Sequence, residues 1–276
     1  MHHKDILIEQ AARLVRDADA IIVAAGAGMG GDSGLPDFRG NSGFWQAYPA
    51  LAAAGMDFQA AASADSFVHD PVRAWGFYGH RLALYRRTVP HAGFALLRKW
   101  ASAKAHGGSV FTSNVDGQFQ RAGVDRDHVH ECHGSIHHLQ CTTPCSDEVW
   151  SAGGFSPVVD EQTCALVGAL PVCPRCGAVA RPNILMFADW TWVDAVSEAQ
   201  RARQQRWLEH ARNPLVIEIG AGTAVPTVRH FSERMWRRHG ASLVRINMRE
   251  AGVEGGHGVG LALAALDALR AIDRVL

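Results

Sequence analysis

Six cysteines stand in this chain, and four of them are spaced for metal chemistry. Cys141-x3-Cys145 and Cys173-x2-Cys176 form two close pairs separated by 27 residues. Two such pairs can present four thiolates tetrahedrally to zinc, and four protein ligands close the site, so the expected zinc is structural. Gly177, directly after Cys176, permits the tight turn of a knuckle. Cys132 is expected near a strand and Cys164 in a loop; substitution of Cys164 for one ligand is the alternative. A second group of residues suits phosphate binding. Residues 26–40 read GAGMGGDSGLPDFRG and follow a short apolar run. Glycines directly after a strand let backbone N–H groups, and a following helix N-terminus, approach a diphosphate. The bland alternative is a tight turn with no ligand. A third group is polar: Thr112-Ser113-Asn114-Val115-Asp116 follows another apolar run, and His133 sits in ECHGSIHH. An imidazole titrates near neutral pH and can take a proton from a hydroxyl. A metal site built from His128, His130, His137 and His138 is the competing reading, and those four are otherwise structural or surface residues.

Elements must hold these groups. Residues 5–17 carry Ile8, Ala11, Ala12 and Val15 on one helical face. Residues 20–25 follow as a β-branched run suited to a buried parallel strand. Further strand signals fall at 109–112, 183–187, 215–219 and 242–247, with helical stretches at 91–105, 193–211, 225–238 and 261–271. This alternation predicts an α/β fold, a Rossmann-like parallel sheet with helices on both faces. Residues 41–87 and 141–180 break the alternation and predict a smaller domain made of a helical insert and a zinc-binding module. The expected organisation is 1–40, 91–140 and 181–276 in the Rossmann-like domain, with 41–90 and 141–180 in the small one. The alanine-rich residues 50–64 are expected as a loop and short helix.

The bulk composition fits. The chain has 276 residues, 47% hydrophobic and 20% charged, enough to bury a core without disulfides. Its 27 basic and 27 acidic residues cancel, which argues against direct nucleic-acid binding. The first residues lack the charged-then-apolar layout of a signal peptide, and no apolar run approaches a bilayer span. A cytoplasmic location, with no membrane partner, is the expectation.

The stretch SGLPDFRG resembles the NAD-binding signature of the sirtuins, the NAD-dependent protein lysine deacylases. TSNVDGQFQRAG from Thr112, HGS from His133, the two cysteine pairs and GAGT from Gly220 resemble the same family in the same order. The resemblance implies an NAD co-substrate and a structural zinc held by Cys141, Cys145, Cys173 and Cys176. It implies that Gly26, Ala27 and Gly28 line the diphosphate, and that Asp37, Phe38 and Arg39 close over the nicotinamide ribose. Ser113, Asn114 and Asp116 are implied in holding nicotinamide and ribose; Gly220, Gly222, Thr223 and Asn247 belong to further cofactor contacts. His133 is implied as the catalytic histidine, with Asn114 and Asp116 beside it in the catalytic centre. In the family's reaction the acyl oxygen of a protein lysine attacks C1′ of the ribose, nicotinamide leaves, and the histidine activates a ribose hydroxyl. The products are nicotinamide and O-acyl-ADP-ribose.

Specificity has its own signals. Tyr78 and Arg81, three apart on one helical face, resemble the Y-x-x-R pair of sirtuins that remove succinyl, malonyl or glutaryl groups. Arg81 could pair bidentately with a distal carboxylate; a plain basic face, continued by Arg86 and Arg87, is the alternative. Phe187, Ala188 and Asp189 stand where the family usually has Phe-Gly-Glu, the segment that pairs with a substrate peptide, with Trp190 and Trp192 in place of smaller residues. Gly30, Ser113 and Gly222 depart from the family's serine, glutamine and serine. Each departure removes or shortens a side chain that could hydrogen-bond NAD or its ribose, one such bond being worth roughly 0.5–1.5 kcal/mol. An ADP-ribosyltransferase or NAD glycohydrolase on the same scaffold is the alternative activity, and a non-enzymatic NAD sensor the alternative class.

Overall fold

A computed structural model describes residues 3–36 and 40–276. Along the chain come β1 (Ala20–Ala25), β2 (Gly108–Thr112), β3 (Val129–Glu131), β4 (Gly134–Cys141) and β5 (Trp150–Ser151). Then follow β6 (Val158–Asp160), β7 (Ala165–Val167), β8 (Ala180–Ile184), β9 (Pro214–Ile219), β10 (Ser242–Ile246) and β11 (Gly258–Leu261). The helices are α1 (His3–Asp17), α2 (Gly40–Ala47), α3 (Pro49–Ala53), α4 (Phe58–Ala61), α5 (Ser66–His69) and α6 (Pro71–Arg87). They continue as α7 (Ala92–Ser102), α8 (Gln118–Arg121), α9 (Ala195–Leu208), α10 (Thr227–His239) and α11 (Ala265–Asp273).

Six strands pair in the order β11-β10-β9-β1-β2-β3, every pair parallel. Side chains alternate across a strand, so each sheet face collects every second residue. Ile21, Val23, Val110, Leu215, Ile217 and Val244 meet α1, α7 and α11 through Ala12, Val15, Leu97, Leu269 and Ile272. Ile22, Ala24, Phe111, Val216 and Leu243 meet α9 and α10 through Leu208, Val228, Phe231 and Met235. The Phe111 and Phe231 rings stack with centroids 3.8 Å apart. Both faces are covered, which is why these strands read as mostly apolar runs, broken in β9 and β10 by Glu218 and Arg245, which pair with each other.

The edge strand β3 is closed by polar side chains of α9. Gln200 Oε1 accepts from the Glu131 backbone N–H at 2.9 Å, and Ser197 Oγ donates to the Glu131 carbonyl at 3.2 Å. Edge groups left bare would invite pairing with another chain.

A third core joins α2–α6 to β4, β5 and β8. Phe44, Tyr48, Phe67, Trp75, Phe77 and Leu82 pack there with Ile136, Leu139, Ile184 and Met186. Trp75 Nε1 donates to the Ala180 carbonyl at 2.8 Å. A Cβ at Gly76 would collide with the Cys164 carbonyl, so the β6–β7 hairpin sits directly on α6. Cys164 lies in the turn of that hairpin, the loop position expected of it, and is buried there.

Three expectations need correction. Residues 183–187 were expected to add a strand to the parallel sheet. The strand is β8, and it pairs antiparallel with β4 in a separate three-stranded sheet. A short apolar run carries no mark of which sheet it joins. The first glycines are followed directly by 3-10 turns at Ala27–Met29 and Gly31–Ser33, and the next α-helix among the described residues is α2, from Gly40. The helix expected from 261 begins at Ala265, because Gly258–Leu261 is spent on β11.

Candidate active site at the carboxyl edge of the parallel sheet

The order β3-β2-β1-β9-β10-β11 reverses direction between β1 and β9, and open α/β sheets bind ligands in the crevice beyond that point. Two glycine loops meet there. Gly26 N donates to Ile219 O at 2.9 Å, Gly28 N to Gly220 O at 3.1 Å, and Gly220 N to Ile246 O at 2.9 Å. A Cβ at Gly26 would lie 2.8 Å from the Gly220 carbonyl oxygen, and one at Gly220 would overlap Gly28. Gly220 also holds φ of +63°, open to glycine at little cost. The result is a backbone-only cradle of a kind that fits a dinucleotide's diphosphate. Asp37, Phe38 and Arg39 lie outside the described residues.

The loop after β2 is tied to the same cradle. Ser113 N donates to Ala25 O at 3.1 Å, and Asn114 Nδ2 donates to Gly26 O at 3.0 Å. Asp116 is buried, with Oδ1 accepting from Gln118 N at 3.0 Å and its carbonyl accepting from His137 Nε2 at 2.9 Å. Burial pushes its carboxyl up to about 6. His133 occupies the break between β3 and β4, where Gly134 turns at φ of +74°. A Cβ on that glycine would collide with the Asn183 carbonyl. His133 Nε2 lies 3.3 Å from Thr227 Oγ1 at the start of α10, and its own carbonyl accepts from Leu185 N at 3.0 Å. Burial lowers the imidazole's pKa, so the ring is neutral at pH 7.

On α6, Tyr78 is buried and Arg81 half-buried. The Arg81 guanidinium stands 5.2 Å from the Phe77 ring, 5.6 Å from Tyr78 and 5.5 Å from Tyr85. It donates to the Tyr85 hydroxyl from Nη2 at 2.8 Å and from Nε at 3.1 Å. Burial pushes the Tyr78 hydroxyl up to about 12. The Arg81 charge acts to lower the pKa of Asp116, which links this helix to the sheet edge. Tyr85 was missed from the sequence, although its place four residues after Arg81 is the spacing of helical neighbours.

Several expected contacts are relocated. The Asp189 carboxylate does not face a substrate: it is fully buried against Arg181 in an ion pair of 2.8 Å. Its oxygens also accept from Thr191 N at 3.0 Å and Met186 N at 3.2 Å, so it pins the loop after β8. Phe187 N donates to Ala62 O at 3.0 Å, which turns that backbone edge toward the helical layer. Trp190 stands 95% exposed just beyond, and Trp192 is half-buried. Asn247 is buried, its Nδ2 donating to Ala221 O at 2.7 Å and its Oδ1 accepting from Arg249 N and Glu250 N at 2.9 and 3.0 Å. Its side chain braces the second glycine loop from behind. Gly222 is half-buried and Thr223 exposed on that loop, the Thr223 hydroxyl donating to Glu250 Oε1 at 3.1 Å. Neither Gln118 nor Glu131 was singled out from the sequence. Gln118 is buried beside Asp116, and Glu131 is a buried carboxyl pushed up to about 7 by burial.

The four cysteines converge as their spacing predicts. Their sulfurs all lie within 4.8 Å of one another, with Cys141–Cys176 and Cys145–Cys173 each at 3.7 Å. Tetrahedral zinc with Zn–S of about 2.3 Å requires sulfurs about 3.8 Å apart, so the group fits. Gly177 turns at φ of +74° and donates from N to Cys173 O at 3.0 Å. Cys164 and Cys132 are not in the cluster.

Comparison with known proteins agrees with this geometry. An NAD-dependent protein deacylase of Thermococcus sibiricus is 26% identical over 253 residues, spanning 90% of this chain and 88% of that protein. One from Methylococcus capsulatus is 30% identical over 253 residues, spanning 91% and 90%. A crystal structure of a Sir2 homologue–NAD complex superposes with a TM-score of 0.69 at 21% identity, over 99% of this chain and 94% of that one. The profile of the Sir2 family matches residues 26–227. That span runs from the first glycine loop to the start of α10, and the chain belongs to the Sir2 family.

Proposed function

We propose that this chain is an NAD-dependent protein lysine deacylase that releases nicotinamide and O-acyl-ADP-ribose, and that it prefers acyl groups ending in a carboxylate. Relatives that match it over nine-tenths of its length carry the name NAD-dependent protein deacylase. The single observation that carries the reading is His133, kept neutral by burial at the same sheet edge as the two glycine loops. A neutral imidazole is the form that can take a proton. In this reading Gly26, Ala27 and Gly28 line the diphosphate, and Asn114 and Asp116 orient the nicotinamide half. Ionised Asp116 accepts a carboxamide N–H. Bound NAD supplies the electrophilic ribose carbon; the chain positions it and moves the proton. The four-cysteine cluster holds zinc away from these groups and ties the small layer together.

The acyl preference rests on α6. The Arg81 guanidinium donates to the Tyr85 hydroxyl at 2.8 Å and stands beside the Phe77, Tyr78 and Tyr85 rings. A carboxylate entering there would meet a guanidinium fork and tyrosine hydroxyls, a strong pairing in a buried setting.

Incubation with NAD and acetyl-, succinyl- or unmodified-lysine peptides tests both parts. Nicotinamide and acylated ADP-ribose should form together, faster with the succinyl peptide. His133→Ala should cost roughly 10²–10⁴ in rate, and Arg81→Met should abolish the succinyl preference. Nicotinamide release without acyl-lysine would instead make the chain a glycohydrolase, and label on protein a transferase.

A further inference from the structure

We infer that Thr227, the first residue of α10, is the positioning residue of His133: its hydroxyl donates to Nε2, which keeps that nitrogen without a proton and fixes the ring for the ribose hydroxyl that arrives there. The inference rests on the deacylase reading above and adds to it a residue that acts through the histidine.

The surroundings of His133 leave its ring one freedom. Cys132 N donates to Thr112 O at 2.9 Å, the His133 carbonyl accepts from Leu185 N at 3.0 Å, and Gly134 is pressed against the Asn183 carbonyl. These contacts root the residue but do not set the rotation of its side chain. Thr227 Oγ1, 3.3 Å from Nε2, is the ring's one hydrogen-bond partner among the described residues.

The threonine is itself held. Val228, Phe231 and Met235 anchor α10 in the core beneath it. Arg229 Nη2 donates to Ala221 O at 3.0 Å, which ties the first turn of the helix to the second glycine loop. A group on a packed helix positions its partner more sharply than one on a loop.

The helix also sets the direction of the bond. The N–H groups of a first turn lack helical partners, and the macrodipole puts its positive end there. A lone pair aimed at that end is favoured over an N–H. Nε2 therefore accepts, the Thr227 hydroxyl donates, and the neutral ring carries its own proton on Nδ1. The imidazole is also the one acceptor that the Thr227 hydroxyl has among the described residues.

A base is ready when its lone pair is bare and aimed. Thr227 holds Nε2 in that state until the ribose hydroxyl takes its place. The ribose O–H bond then breaks, the proton goes to Nε2, and the electron pair stays on the ribose oxygen for its attack.

Two measurements on the full chain test this. The first uses no ligand: nitrogen NMR of the imidazoles at about pH 8, where the ring is neutral, with His133 identified by its loss in His133→Asn. Wild type should show the Nδ1–H tautomer. Thr227→Val keeps the shape and drops the hydroxyl, and should give a mixture of both tautomers. The second separates the halves of the reaction. Exchange of labelled nicotinamide into NAD, with acyl-lysine peptide present, reports the step before the histidine acts; formation of acylated ADP-ribose reports the step in which it acts. Thr227→Val should slow acylated ADP-ribose formation by roughly 3- to 10-fold and exchange by much less, and Thr227→Ser should restore it. A wild-type His133 with its proton on Nε2 overturns the inference. So does a Thr227→Val protein that is slowed equally in both halves or in neither, and so does a Thr227→Ser protein as slow as Thr227→Val. A wild type that releases no nicotinamide with acyl-lysine overturns the deacylase reading instead; the tautomer without ligand still decides whether Thr227 holds the ring.

Discussion

Two carboxyl groups at the carboxyl ends of β2 and β3 are held away from water. Asp116 is pushed up to about 6 and Glu131 to about 7, burial being the largest cause in each. Glu131 also feels the Asp116 charge, while bonds from Gln120, Gln200 and Ser135 work in the opposite direction. A carboxyl with a raised pKa is harder to ionise folded than unfolded. Its contribution to stability is therefore intact below the unfolded value near 4.5 and is lost as pH climbs through about 7. Glu131→Gln removes the buried charge. It should raise stability at pH 8 by up to about 3 kcal/mol, with the gain fading toward pH 4. Thermal melts at the two pH values measure it; a gain that is equal at both, or absent, would mean that ionisation is not the cause. At this scale the sequence is legible where the residues sit in contiguous motifs: Asn114, Asp116 and His133 stand at the carboxyl ends of β2 and β3, and the four cysteines converge. It fails where a side chain's partner is distant. Nothing around Asp189 announces that Arg181 has folded back to neutralise it, and nothing marks Glu131 until α9 covers it.

Elements are legible where period and burial agree. β1, β9 and β10 are buried on both faces and read as mostly apolar runs, whereas β4 carries His137 and His138 and β11 carries Gly258 and Gly260. Those last strands owe their form to neighbours, β8 for one and β10 for the other. The cysteine knuckles make the same point from the other side. Four thiolates lie at the end of β4 and just before β8, so a metal there fastens the start of β8, and through it Trp75 of α6. A Cys173→Ser protein, or one treated with a strong zinc chelator, should lose on the order of 5–10 °C in Tm. The wild type should yield one zinc per chain by elemental analysis. Full retention of Tm after zinc removal would show that the third core holds β4 and β8 without the metal.

At the scale of the whole molecule, the loops after β1, β2, β9 and β10 converge on one crevice while the sheet's two cores lie beneath it. A ligand bound there braces both halves of the sheet, and any ligand that prefers the folded state stabilises it by mass action. NAD at about 100 times its Kd should add about 2.7 kcal/mol, a rise of several degrees in Tm. Gly220 is the place to interrupt this. Its φ of +63° costs a side chain about 1–2 kcal/mol, and a Cβ would press on Gly28, the neighbour that shapes the first loop. Gly220→Ala should therefore melt earlier without ligand and show little or no rise with NAD. Gly31→Ala is the control, since a Cβ there meets nothing within 4 Å. It should melt close to wild type and keep the rise. If Gly220→Ala gains as much from NAD as wild type does, the close packing of the two glycine loops is not what forms the cradle.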